Sequence, residues 1–99
     1  MRVVWTEEAI ESFLDIKDFL SATWNEVVVE EFSAHTDKTV NMISKNPSIG
    51  TRFGADNDRR VIIHPHVSLF YEVNKETIVI LLLWDNRQDP FELLNRLKR

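Results

Sequence analysis

The chain is predicted to adopt an α+β fold in which an antiparallel sheet packs on a helical hairpin and a short helix closes the C-terminal end. Three observations predict it. Residues 59–64, 67–73 and 77–84 are apolar runs of strand length, separated by breaks too short for a crossover helix, so they form an antiparallel meander. Residues 9–20 and 28–43 instead repeat apolar positions every three or four residues, the period of two amphipathic helices. Asp89-Pro90, with Glu92 three residues after the Asp, reads as the start of one more helix.

Taken in order, residues 1–5 are short and mostly apolar and form a first strand. Thr6 caps the first helix, with Glu7 and Glu8 in the electropositive first turn. Ala9, Ile10, Phe13, Leu14, Ile16 and Leu20 turn one side to the core, leaving Glu11, Asp15 and Asp18 outside, and the helix ends near Ala22. Asn25 caps the second helix, whose buried positions are Val28, Phe32, Thr36, Thr39 or Val40, and Ile43. His35 on this helix is an isolated imidazole, for which packing or surface exposure outweighs partner contact. Pro47 disfavours helical geometry at Asn46 and Gly50 then permits a turn, so residues 46–50 are a helix stop.

Within the meander, alternation sets Tyr71 opposite Phe70 and on the same face as Leu69 and Val73, a core position with its hydroxyl at the rim. The run 77–84 has no polar residue after Thr77, as expected of a strand buried on both faces at a sheet's centre. It stops abruptly at Asp85-Asn86-Arg87-Gln88-Asp89-Pro90, a polar rim where loops on a rigid scaffold carry function. In the last helix Phe91, Leu94 and Leu97 form an apolar stripe with Leu93 alongside, and Lys98 and Arg99 complement the negative end. A helix of about nine residues is marginal alone, so it either docks on its own sheet or stays mobile for a partner.

Ninety-nine residues make one domain, able to bury roughly 60–70% of its unfolded surface. An apolar content of 43%, three Trp and six Phe supply a core, and only two Gly and three Pro argue against disorder. With no cysteine, disulfides, thiolate catalysis and Cys-ligated zinc are excluded. Acidic Glu7 and Glu8 precede any apolar segment long enough for secretion, and no run approaches membrane-spanning length, so a soluble cytoplasmic protein with no membrane partner is expected. Asp56, Asp58, Asp85 and Asp89 make no dependable metal motif, and neither metal nor cofactor is expected.

The net charge of −4 hides an asymmetry: residues 1–50 carry −5 and residues 51–99 carry +1. A global basic field for duplex nucleic acid is therefore lacking. Arg52, Arg59, Arg60 and Arg87 form either a small positive patch for a target or ordinary solvated arginines. Arg60 follows the same division, its stem lying along the sheet and its guanidinium serving an acidic partner or a target. His64 and His66 flank Pro65 and are either an acid-base pair or parts of a kinked strand junction. The junction is favoured, since neither has a partner identifiable in sequence.

The first strand, the helical hairpin with Trp24 at its turn, the Asn46-Pro47-Ser48-Ile49-Gly50 stop and the meander together resemble the RelE/ParE superfamily of bacterial type II toxins. Arg60-Val61-Ile62-Ile63, Phe70-Tyr71-Glu72-Val73 and the turn around Arg87 stand where such toxins keep their Arg strand, Tyr strand and terminal Arg-rich turn. The resemblance covers nearly the whole chain and is nearer ParE. It implies a toxin-antitoxin pair of the plasmid-stabilisation kind. The implied partner is a cognate antitoxin with a disordered tail that folds across the toxin; the oligomeric state stays open.

Two activities are implied by the superfamily. RelE-like members are ribosome-dependent endoribonucleases, whose cleavage by a 2′-hydroxyl needs a base, a proton donor and cationic stabilisation. Where those relatives carry a His or Tyr near the end of the last strand, this chain reads Trp84-Asp85. Trp does not serve as a proton donor and Asp85 repels phosphate. ParE-like members inhibit DNA gyrase by protein contact, which needs no nucleolytic set, and the resemblance implies target contacts at Arg52, Arg59, Arg60, Trp84 and Arg87. The alternatives are a metal-independent RelE-type ribonuclease using Arg60, Arg87 and His64 or His66, and a non-toxic homologue that retains antitoxin binding.

Overall fold

A computed structural model of the chain describes residues 1–54, 57–64 and 66–98. The elements run β1 (Arg2–Trp5), α1 (Glu7–Thr23), α2 (Glu26–Lys45), β2 (Thr51–Arg52), β3 (Asp58–His64), β4 (Val67–Asn74), β5 (Thr77–Asp85) and α3 (Pro90–Leu97). The strands form one five-stranded sheet in the order β1-β5-β4-β3-β2. Local signals place the helix ends. Thr6 and Asn25 accept hydrogen bonds from the N–H groups of Ala9 and Val28, and Asp89 accepts one from Phe91. Helix α2 ends at Asn46, before Pro47.

The meander β3-β4-β5 is antiparallel, as the short breaks require. Strand β1, however, pairs in parallel with β5, Val3 opposite Ile78 and Trp5 opposite Ile80, so the sheet is mixed rather than wholly antiparallel. The short-break argument has no hold on this pair, because the whole helical hairpin and meander lie between the two strands. A two-residue strand, β2, follows the Gly50 turn and pairs with β3, an element too brief to show periodicity.

Because β1 is short, it covers only the first half of the β5 edge. Beyond Ile80, side chains of the α1 segment take over the role of a neighbouring strand. Thr6 Oγ1 donates to the Leu81 carbonyl at 3.2 Å. The buried Ser12 Oγ accepts the Leu83 N–H at 3.0 Å while donating to the Ala9 carbonyl at 2.9 Å. Buried backbone groups left without partners by the missing strand are thereby satisfied.

Both helices of the hairpin lie on one face. Their core joins Ala9, Phe32 and Ile43 to Leu69, Tyr71, Ile78, Ile80 and Leu83 of the sheet. Phe13 bridges Trp5 edge-on at 5.6 Å and Phe32 in a stack at 5.5 Å. On the opposite face Phe70, Leu81, Leu82 and Trp84 pack with Leu93 and Leu97 of α3, and Phe53 meets Phe70 edge-on at 4.8 Å. The apolar character of β5 follows from this double cover. A bulge places an extra β5 residue, Leu81, between the Phe70–Leu82 and Tyr71–Ile80 pairs.

Several helical positions differ from their periodic assignment. Ile10 and Leu14 are 46% and 49% exposed, because the sheet-facing side of α1 is narrower and centres on Ala9 and Ser12. Val29 is buried and Val28 only half-buried. In α3, Leu93 and Leu97 are buried, whereas Phe91 is 74% and Leu94 49% exposed. The i and i+4 pair meets the sheet, and the predicted Phe91-Leu94 stripe faces away. Helix α3 is docked on its own sheet, and Arg96 forms an ion pair with Glu8 of α1. Asp56, Pro65 and Arg99 lie outside the described residues. Among those described, no helix is long and apolar enough to cross a membrane.

Candidate functional site

The polar rim at the end of β5 is assembled by the register of β4 on β5. Pairing of Val67 with Asp85 and Ser68 with Trp84 brings the start of β4 beside the turn 86–88. The Asn86 N–H donates to the His66 carbonyl at 2.7 Å and the Gln88 N–H to the Asp85 carbonyl at 3.0 Å, closing the turn.

Within this turn Arg87 folds back on Asp85. Its Nε lies 3.0 Å from Oδ1 and its Nη2 2.7 Å from Oδ2, and its backbone N–H reaches Oδ1 at 2.9 Å. This is the planar two-pronged match of guanidinium to carboxylate, and it holds an otherwise flexible cation in one pose. The hydrogen bonds from Arg87 keep the Asp85 carboxyl below the ordinary carboxylate range, against a smaller opposing effect of burial, and nearby His66 adds a small lowering. The same bonds raise the Arg87 guanidinium. Arg87 remains 59% exposed and Asp85 18%. The rim therefore displays a fixed positive edge backed by an ionised carboxylate.

A partly buried relay connects Arg60 to this turn. Arg60 Nε donates to Ser68 Oγ at 2.8 Å, and Ser68 Oγ donates to Asn86 Oδ1 at 2.9 Å. Ser68 is fully buried, so the relay satisfies its hydroxyl while fixing Arg60 and the turn against each other across three strands. Arg60 thus serves a hydroxyl here, in place of the acidic partner considered for it. Ser68 and Asn86 were absent from the sequence-derived candidates. Their only signal was a lone polar residue near the start of an apolar strand and an Asn just past the end of another.

The arginines are divided between the two faces of the sheet. Arg60 pairs with Phe70 and Arg59 with Tyr71, so the two side chains leave β3 on opposite faces. Arg52 pairs with Arg59 and shares its face. Arg59 Nη1 donates to the carbonyls of Gly50 at 2.6 Å and Ser48 at 3.3 Å, pinning the helix stop. Arg60 is linked to the turn through Ser68 and Asn86, Arg87 is folded on Asp85, whose partner Val67 belongs to the hairpin-side core, and Arg52 and Arg59 form a separate group on the hairpin side.

Other candidates have structural placements. Trp84 is 4% exposed, packed in the cluster beneath α3. Tyr71 is fully buried, its hydroxyl donating to the Pro47 carbonyl at 2.7 Å and accepting the Gly50 N–H at 3.0 Å. Burial raises its pKa, against smaller lowering effects from the Gly50 hydrogen bond and the Arg59 charge. Among the acidic residues, Asp58 is buried at the start of β3, Asp85 is clamped by Arg87 and Asp89 caps α3. His66 lies at the rim near Asp85, and His64, paired with Val67 of the hairpin-side core, lies beside His35 of α2. Neither a clamped carboxyl of lowered pKa nor a buried phenol of raised pKa is matched to proton transfer near neutral pH.

The sequence matches the family model described as ParE toxin of type II toxin-antitoxin system, parDE, over residues 3–90. No curated protein matches it. Among solved structures, the chromosomal ParDE toxin-antitoxin system from P. aeruginosa contains a chain similar at a TM-score of 0.75 and 17% identity, covering 86% of this chain and 95% of that one. A copper-bound mutant toxin from Helicobacter pylori is similar at a TM-score of 0.60 and 16% identity, covering 86% and 93%. At such identities the structural likenesses speak for the fold alone.

Proposed function

From the premise that this chain belongs to the ParE toxin family of type II toxin-antitoxin systems, we propose that it poisons DNA gyrase by protein contact and is neutralised by a cognate antitoxin. One observation carries the choice of mechanism. Where ribonuclease relatives are expected to hold a proton-transferring His or Tyr, this chain has a buried Trp84 and an Asp85 committed to Arg87. Such a rim suits recognition. It offers a positive edge pre-set by Asp85 and joined through Asn86 and Ser68 to Arg60, so little side-chain entropy remains to be lost on binding.

A specific observation also keeps the ribonuclease reading testable: the relay and the rim gather Arg60, Arg87 and His66 at one end of the sheet. Purified toxin added to gyrase should inhibit supercoiling, whereas translating ribosomes given the same protein should keep their mRNA intact. Arg87→Ala should weaken gyrase inhibition and growth arrest while leaving the melting temperature nearly unchanged, since exposed ion pairs contribute little to stability. Codon-periodic mRNA cuts with gyrase unaffected would overturn the proposal in favour of the RelE-type activity. Antitoxin binding without growth arrest would instead identify a non-toxic homologue.

A further inference from the structure

The hairpin side of β3 carries a pair of imidazoles that the gyrase reading does not use. Ile62 pairs with Ser68, yet His64, two residues on, pairs with Val67, so Ile63 is an extra residue in β3. A bulge of this kind re-aims the side chain that follows it. Strict alternation would send His64 to the face opposite Ile63. Instead, Ile63 packs against the core under the hairpin, and the His64 ring meets His35 of α2 with centroids 6.2 Å apart and planes inclined by 38°. Among the described residues neither ring has a hydrogen bond or an ion pair, and both are exposed.

That separation is informative for coordination chemistry. With metal–nitrogen bonds of about 2.0–2.1 Å and a ring radius of roughly 1.1 Å, two imidazoles on one ion have centroids at most about 6.4 Å apart. The observed distance falls just inside this limit. Exposed His side chains have the rotamer freedom to close by the further ~1 Å that a narrower coordination angle requires. Glu31 stands one turn before His35 on the exposed flank of α2, and its carboxylate adds a local attraction for cations.

We propose that His35 and His64 form a two-imidazole site for a divalent late transition-metal ion, with water completing the coordination. Imidazole nitrogens and the general order of divalent affinities make Cu²⁺ the tightest occupant, ahead of Ni²⁺ and Zn²⁺. An ion held there joins α2 to β3, and so adds a tie between the helical hairpin and the sheet beside the core contact of Ile63. The proposal does not depend on the identity of the toxin's target.

The test is titration of the untagged, metal-free chain with Cu²⁺, followed by calorimetry and by electron paramagnetic resonance. One ion should bind per chain, with nitrogen hyperfine splitting from two imidazoles. His35→Gln and His64→Gln should each weaken binding by at least about tenfold and remove the two-nitrogen signature. His66→Gln, outside the His35–His64 ring pair, should retain both. Far-UV circular dichroism of the apo variants shows that the fold is kept, as exposed positions permit. Absence of stoichiometric binding would overturn the proposal. So would Cu²⁺ affinity unchanged in both His35→Gln and His64→Gln, or lost as fully in His66→Gln.

Discussion

Tyr71 illustrates how one side chain organises the junction between helices and sheet. Its hydroxyl satisfies both the Pro47 carbonyl and the Gly50 N–H, and Gly50 is required because a Cβ there would stand 2.8 Å from that hydroxyl and 2.9 Å from Cε1. Tyr71→Phe should cost about 1–3 kcal/mol in denaturant unfolding, because two buried backbone groups lose their partner. Asp85 gives a pH-dependent counterpart. Its folded pKa is depressed, so its contribution is complete above the unfolded-state value of about 3.9 and fades as pH falls through the folded value. Unfolding midpoints measured from pH 7 to pH 2 should show a gap between the parent and Asp85→Asn that narrows only on that acid arm. Solvent screening keeps the gap small. The Asp-x-Arg spacing was visible in the sequence, whereas the turn geometry that folds Arg87 back on Asp85 was not.

At the scale of elements, the edge of β5 is the informative place. Half of it is covered by β1, and the remainder is bonded by Thr6 and Ser12 at the start of α1. Ser12→Ala leaves the buried Leu83 N–H without an acceptor and should lower stability by about 1–3 kcal/mol. Hydrogen exchange at Leu83 should accelerate more than at Thr6, whose N–H keeps its bond to the Ile80 carbonyl. An unchanged rate at Leu83 would show that another group replaces the hydroxyl. Helix α3 docks with Leu93 and Leu97 against Trp84 and its neighbours. Its cap and first turn were legible because Asp89, Pro90 and Glu92 act on adjacent backbone. Which of its apolar residues would be buried depended on the angle at which it crosses the sheet.

On the scale of the whole molecule, the two sheet faces have different work. The hairpin face holds the larger core and the Arg52–Arg59 group, while the α3 face carries Arg60, linked to the rim turn through Ser68 and Asn86. The hairpin's outer surface keeps Phe19, Trp24 and Val27 more than half exposed, a substantial apolar area for a protein that is to remain in water. Co-expression with a cognate antitoxin should yield a complex that survives purification at micromolar concentration, relieves growth arrest and unfolds at higher temperature than the toxin alone. Separate purification of the two, with toxicity unaffected, would count against the pairing.

Short-range physics made much of this molecule readable in advance. Caps at Thr6, Asn25 and Asp89, the stop at Pro47, the meander and the double-sided burial of β5 all follow from contacts within a few residues or from breaks too short for another path. The resemblance to the toxin superfamily rested on the order of those same pieces. Tertiary structure decided what involves distant partners: the parallel pairing of β1, the substitution of Ser12 for a missing strand, and the relay from Arg60 through Ser68 to Asn86. Bulges decided more. One extra residue in β3 sends His64 to His35 on the hairpin side. Strand register alone separates Arg59 from Arg60, because neighbours in a strand point to opposite faces and composition does not distinguish them.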